Sequence, residues 1–209
     1  MNINYKCIIA SFVIACTCFL CTACIDIEQK ISADKKGNYF VEYTMLIDKA
    51  ILELMDANVE DMFSDIEDAD DFISNIQHID TNDKAGIAFT INVTNLVQAG
   101  NGAEKEFKMF VPRKIENVFI VPLIDFAEAG FGSAADDATD AMINLFIKNA
   151  TYKIIVEKRA FTKTKSAELH SDGIQKSIAF EYVKRQNQTI ITIPMIDLLD
   201  KPAAEVWLK

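Results

Sequence analysis

The sequence predicts an α+β domain with a largely antiparallel sheet and two main helical regions, preceded by a short segment that is not part of the fold. Three observations carry that prediction. Apolar residues alternate with polar ones in several short runs, the period of a half-buried strand. Two longer stretches instead space their apolar residues by three and four, the period of a helix face. Glycine, asparagine and proline punctuate the runs at turn distances, and strands precede, separate and follow the helical stretches rather than alternating singly with them.

The elements follow in order. Ile25, Ile27 and Ile31 alternate with Asp26, Glu28 and Lys30, then Asp34-Lys-Lys-Gly37-Asn38 supplies a turn. Tyr39, Val41, Tyr43, Met45 and Ile47 form a second alternating run, so a hairpin is expected. From Ala50, residues Val59, Met62, Phe63, Ile66, Ala69, Phe72, Ile73 and Ile76 give an amphipathic helix, or two broken near Asn58. A strand is expected at Ile87–Val93, a loop at Gln98–Ala103, and short strands at Phe107–Val111 and Val118–Val121, each ended by a proline. Ser133 and Asp136 match a capping box before Ala138, Ala141, Met142, Leu145 and Phe146, a second helix. Strands are then expected at Thr151–Val156, Ala167–His170, Lys176–Val183, Thr189–Ile193 and Ala204–Leu208, with a Ser171-Asp-Gly173 turn.

The N-terminal segment has its own logic. All five cysteines, at 7, 16, 18, 21 and 24, fall in one apolar run of 18 residues behind a polar start bearing Lys6. This is an export signal over residues 1–23, leaving one domain over 24–209. Its end, Leu20-Cys21-Thr22-Ala23-Cys24, resembles the lipobox of bacterial lipoproteins, which implies lipid modification of Cys24. Cys16, after Val13-Ile14-Ala15, is the competing position. Cleavage there would leave an h-region of about eight residues, at the short end of the usual range, and an apolar tail on the mature chain. An uncleaved span is the other alternative, since about 17–25 apolar residues can cross a bilayer. Either way the expected location is a bacterial membrane, with the domain on the non-cytoplasmic side of the inner membrane or in the outer membrane.

Composition narrows the function. Lys6 is the only charged side chain before residue 25, so the mature part carries 20 basic and 31 acidic residues. A net charge of −11 disfavours nucleic acid, whose phosphates reward cations. The mature part has no cysteine beyond Cys24, hence no disulfide and no thiolate site. Two histidines, His78 and His170, are too few for a histidine-rich metal site. No Gly-x-Ser-x-Gly elbow, phosphate loop or dinucleotide-binding glycine pattern is present. No catalytic residue, metal or cofactor is therefore expected.

Charge is segregated along the chain. No Lys or Arg occurs from Ala50 to Asp83, and the acidic stretch Glu53–Asp71 is the expected docking site for an envelope protein, or else a plain solvated helix face. Nine cations against four acids lie between Lys148 and Arg185. Within them Lys158, Arg159, Phe161, Lys163 and Lys165 are expected to face the membrane, at about 1 kcal/mol per cation near anionic headgroups. A solvated loop is the plainer alternative. The apolar Phe119–Phe131 stretch is core or, with the helix to Phe146, the wall of a ligand or lipid pocket.

The order of lipobox-like Cys24, an immediate hairpin with the Asp34–Gly37 turn, a mixed middle and a C-terminal β region with Ser171-Asp-Gly173 resembles the LppM-type bacterial lipoproteins. Many of these carry a second membrane segment at the C-terminus, whereas this chain ends at Trp207-Leu-Lys209 without one. The resemblance transfers no functional residue. The expected function is a membrane-anchored binding or structural module, not an enzyme. A small-ligand or lipid carrier using residues 119–146 is the alternative, and a carboxylate-dependent hydrolase the third.

Overall fold

The computed structural model describes residues 25–54, 56–60, 73–93, 111–124, 147–162, 164–199, 201 and 203–209. The chain forms β1 (Ile25–Ala33), β2 (Tyr39–Asp48), α1 (Lys49–Leu54), β3 (Ile73–Asp80), β4 (Lys84–Asn92), β5 (Arg113–Ile115) and β6 (Val118–Pro122). It continues with β7 (Thr151–Glu157), β8 (Ala167–Ser171), β9 (Ile174–Ile178), β10 (Glu181–Val183), β11 (Gln188–Pro194), a 3-10 turn at Met195–Asp197, and β12 (Glu205–Leu208).

These strands make two sheets. The larger has the order β10-β11-β7-β1-β2-β4-β3, the smaller β5-β6-β12-β8-β9. All pairings are antiparallel except β1 with β7, which run parallel with Asp26 beside Thr151 and Ile31 beside Val156.

The fold is therefore β, not α+β, and the expectation of two main helical regions is overturned. Among the described residues, α1 is the one short α-helix. Ile73 and Ile76, assigned from their spacing to the end of the first long helix, lie instead in β3. The reason is local. Asn75 and Ile76 together oppose Phe89, where the register shifts between Ser74 and Gln77, and Asn75 adopts φ 56°. Such a bulge adds one residue to a strand and brings positions three apart onto one face, imitating helical spacing. Most of residues 55–72 and all of the second expected helix, 133–146, lie outside the described residues, as do the loop at 98–103 and all of the expected strand Phe107–Val111 but Val111, which is not in a strand.

Local chemistry explains the remaining elements. In the β1–β2 turn, Asp34 Oδ1 accepts the backbone N–H groups of Lys36 (2.7 Å) and Asn38 (2.9 Å), and Gly37 supplies φ +89°. Those bonds hold the Asp34 carboxyl below its usual range. Asp172 and Gly173, both at positive φ, close the two-residue β8–β9 hairpin. The run expected as one strand at 176–183 is split: β9 belongs to the smaller sheet and β10 to the larger.

The two sheets bury one core. Ile27, Ile31, Val41, Tyr43, Ile87, Phe89, Ile154 and Ile191 from the larger meet Phe119, Val121, Leu169, Val206 and Leu208 from the smaller. Rings of Tyr39 and Phe119 lie 5.8 Å apart across the join.

Candidate functional site

The register of the larger sheet sorts its loops into two ends. At one end β1 begins: Ile25 lies opposite Ile47, Asp48 opposite Lys84, and Thr151 opposite Pro194. That end therefore gathers α1, the β3–β4 turn and the start of β7. It also holds a cleft of about 560 Å³ between α1 and the β3–β4 hairpin. Leu52, Val59, Ile79 and Ala85 give the cleft apolar lining, and Glu53, Asp56, Glu60 and Asp80 give it acidic groups. Lys49 pairs with Asp80 in its wall, and Lys84 with Asp26 beside it. Gly86 also lines it; a Cβ there would sit 1.9 Å from the Met45 carbonyl oxygen, so only glycine permits β4 to approach β2 this closely.

At the other end β1 finishes, and with it β7, because the two are parallel. The β1–β2 turn, the β7–β8 loop and the β10–β11 turn emerge there side by side. Lys158 N–H donates to the Asn187 carbonyl at 2.9 Å, tying two of them together. Each carries a pair of exposed cations: Lys35 and Lys36, Lys158 and Arg159, Lys184 and Arg185. Among the described residues none of these six forms an ion pair, whereas Lys30, Lys84 and Lys153 on the strands all do.

This placement separates residues that the sequence reading put on one membrane surface. Cys24, immediately before Ile25, lies outside the described residues, but β1 begins at one end of the sheet and Lys158 follows the opposite end. Nine residues at about 3.3 Å each make the separation roughly 27–30 Å. Phe161 is half-buried and stacks on Phe119 with centroids 5.6 Å apart, so it packs inward. Lys165 is exposed, with its N–H bonded to the Lys209 carbonyl, and Lys163 lies outside the described residues. Of the acidic stretch, Glu53, Asp56 and Glu60 belong to the β1-start end, while residues 61–71 are outside the described residues.

Two polar groupings escaped the sequence reading. Gln29 is fully buried at the sheet centre; its Nε2 donates to Tyr43 Oη at 2.8 Å and faces the Pro122 carbonyl at 3.4 Å, and its Oε1 accepts from Tyr152 Oη at 3.0 Å. Burial pushes both tyrosine hydroxyls to higher pKa, so they stay protonated. The signal was available, since Gln29 takes an inward place in the alternation of Ile25, Ile27 and Ile31. On the outer face of the smaller sheet, His170 stacks on Trp207 (4.1 Å) and its Nε2 lies 3.1 Å from Glu168. Glu168 also accepts from Lys209 Nζ at 2.5 Å, and those two bonds lower its pKa. Arg113 and the Trp207 indole both donate to Glu205. Side chains from β5, β12 and β8 thus satisfy one another, which is how an outward sheet face is held.

Among the described residues no three His, Cys, Asp or Glu side chains are grouped to hold a metal, and no helix is long and apolar enough to cross a membrane. The described part of the 119–146 stretch is β6 and the two residues after it: Phe119, Ile120, Val121 and Leu123 are all at most 2% exposed and do not line the cleft.

No family model matches the chain, and no curated protein matches it. Among solved structures, the NMR structure of the folded domain of LppM from Mycobacterium tuberculosis is similar over 89% of this chain and 90% of that one, at 9% identity and a TM-score of 0.38. The likeness is faint, and no function is carried over from it.

Proposed function

We propose that this chain is a bacterial envelope lipoprotein, anchored through a lipid on Cys24, whose β domain works as a binding module rather than as an enzyme. The observation that supports it is the junction. Ile25 follows Cys24 directly and is already buried at 7% exposure in β1, and β1 is the middle strand of seven. A lipid on Cys24 would thus be fastened to the stiffest part of the fold without a tether, which fixes the domain's height and gives a binding module a defined presentation. The cleft beside α1 is the proposed seat of an envelope protein partner. Its acidic groups, Glu53, Asp56, Glu60 and Asp80, suit a partner segment bearing cations over an apolar stripe.

The test is expression of the full chain in a bacterium that processes lipoproteins, followed by intact mass and membrane fractionation. The mature chain should begin at Cys24 and carry acyl groups; more than one chain makes attachment effectively stable. Cys24→Ala should leave unprocessed precursor or release the domain, and Cys16→Ala should change nothing. A lipid on Cys16, or a mature terminus elsewhere, overturns the anchor. For the partner, crosslinking from a photoreactive residue at Glu53 in native membranes should capture a protein that the same probe at Lys36 does not.

A further inference from the structure

We infer that the end of the larger sheet opposite residue 25 is a docking surface for an anionic phospholipid bilayer, contacted through Lys35, Lys36, Lys158, Arg159, Lys184 and Arg185. The inference rests on the anchoring reading above and adds to it a second membrane: the domain, held by Cys24 in one bilayer, binds another.

Topology makes the surface. These cations come from sequence positions up to 150 apart. They converge because β1 and β7 are parallel and β11 is antiparallel to β7, with Gln188 opposite Glu157. Ile31 is level with Val156, so the three turns leave the sheet at nearly the same height. Strands β10 to β2 span four intervals of about 4.8 Å, so the cations spread over roughly 20 Å of nearly level surface. Of the acids beside them, Asp34 is bonded into its own turn and Glu157 lies 3.9 Å from Lys30, leaving exposed Glu181 on β10 against six cations.

Magnitudes decide which bilayer. The anchoring membrane lies some 27–30 Å from these cations, beyond a Debye length of about 8 Å at physiological salt. Its charge is screened there. A bilayer approaching from the opposite side meets all six directly, and each cation near such a surface contributes about 1 kcal/mol. Nucleic acid is the poorer occupant, because single strands are held by stacking on successive exposed aromatics. The aromatic of the basic loop, Phe161, is instead packed on Phe119, and Tyr182 beside the β10–β11 turn is a single exposed ring rather than a row of them.

The experiment uses the full, lipidated chain in donor vesicles of phosphatidylcholine. These are mixed with acceptor vesicles of equimolar phosphatidylcholine and phosphatidylglycerol, and clustering is read by light scattering. Clustering is expected at low ionic strength, lost as salt rises, and absent with pure phosphatidylcholine acceptors. Replacing the six cations by Gln should weaken it by at least about tenfold, with an unchanged melting temperature. Lys148→Gln and Lys201→Gln together, cations near the start of β7 at the opposite end of the sheet, should leave it intact.

Donors that hold the chain yet ignore the acceptors at low salt overturn the inference and leave the anchor standing. Equal loss in the control variant overturns it too. Binding of soluble polyglutamate in preference to the acceptors would assign the surface to an acidic protein instead. A chain that leaves the donors overturns the anchoring reading, and the second membrane with it.

Discussion

Gln29 is the residue on which the interior turns. A fully buried amide stays in an apolar core only when its donors and acceptors are met, and two tyrosine hydroxyls meet them here. Gln29→Leu removes those bonds while keeping volume, and should lower stability by about 3 kcal/mol; Tyr152→Phe, which takes away a single hydroxyl, should lower it by about 1 kcal/mol. Denaturant titration of both separates the network from mere packing. Gly86→Ala is harsher. Its Cβ would meet backbone, not a flexible side chain, so a loss of at least about 3 kcal/mol is expected in the same assay. Glu168 gives a pH signature. Its lowered pKa means that its bonds to Lys209 and His170 stabilise the fold above the usual carboxyl value of 4.5 and are lost as pH falls through the lowered one. Glu168→Gln should melt below the natural chain near neutrality, and the gap should close in acid.

At the scale of elements, the strand period was legible and the neighbours were not. Alternation located β1, β2, β7, β8, β11 and β12 closely, and Asp34–Gly37 and Asp172-Gly173 announced their turns through their own chemistry. Period two tells which face a side chain takes, not which strand lies beside it. The parallel pairing of β1 with β7 was therefore invisible. So was the passage from β9 to β10, where Ala179 and Phe180 carry the chain between sheets. The bulge at Asn75 misled most, because it gives a strand the spacing of a helix. It also makes a prediction. A β-branched residue at φ 56° is strained by about 1–2 kcal/mol, so Asn75→Val should lower the melting temperature while Asn75→Gly should hold or raise it.

For the whole molecule, the charge segregation seen along the chain becomes a polarity in space. The acidic groups of α1 and the cleft share an end with Ile25, and the cations of three turns occupy the other. The sequence showed one basic stretch at 158–165; Lys35-Lys36 and Lys184-Arg185 join it only once the register is known. With the proposed lipid on Cys24, this polarity would set the basic turns at the end away from that lipid, whereas the sequence alone placed Lys158, Arg159, Phe161, Lys163 and Lys165 against the membrane.

The most direct test is a depth measurement. Lipidated chain bearing one introduced cysteine, at Asn82→Cys in the β3–β4 turn, Lys36→Cys or Lys158→Cys, is labelled with a fluorophore and placed in vesicles containing nitroxide lipid. Quenching should be strong at position 82 and weak at 36 and 158, which lie roughly 27–30 Å farther from the anchor along β1. Quenching stronger at 36 and 158 than at 82, or equal at all three, would contradict the assignment of the basic end to the side away from the anchoring membrane.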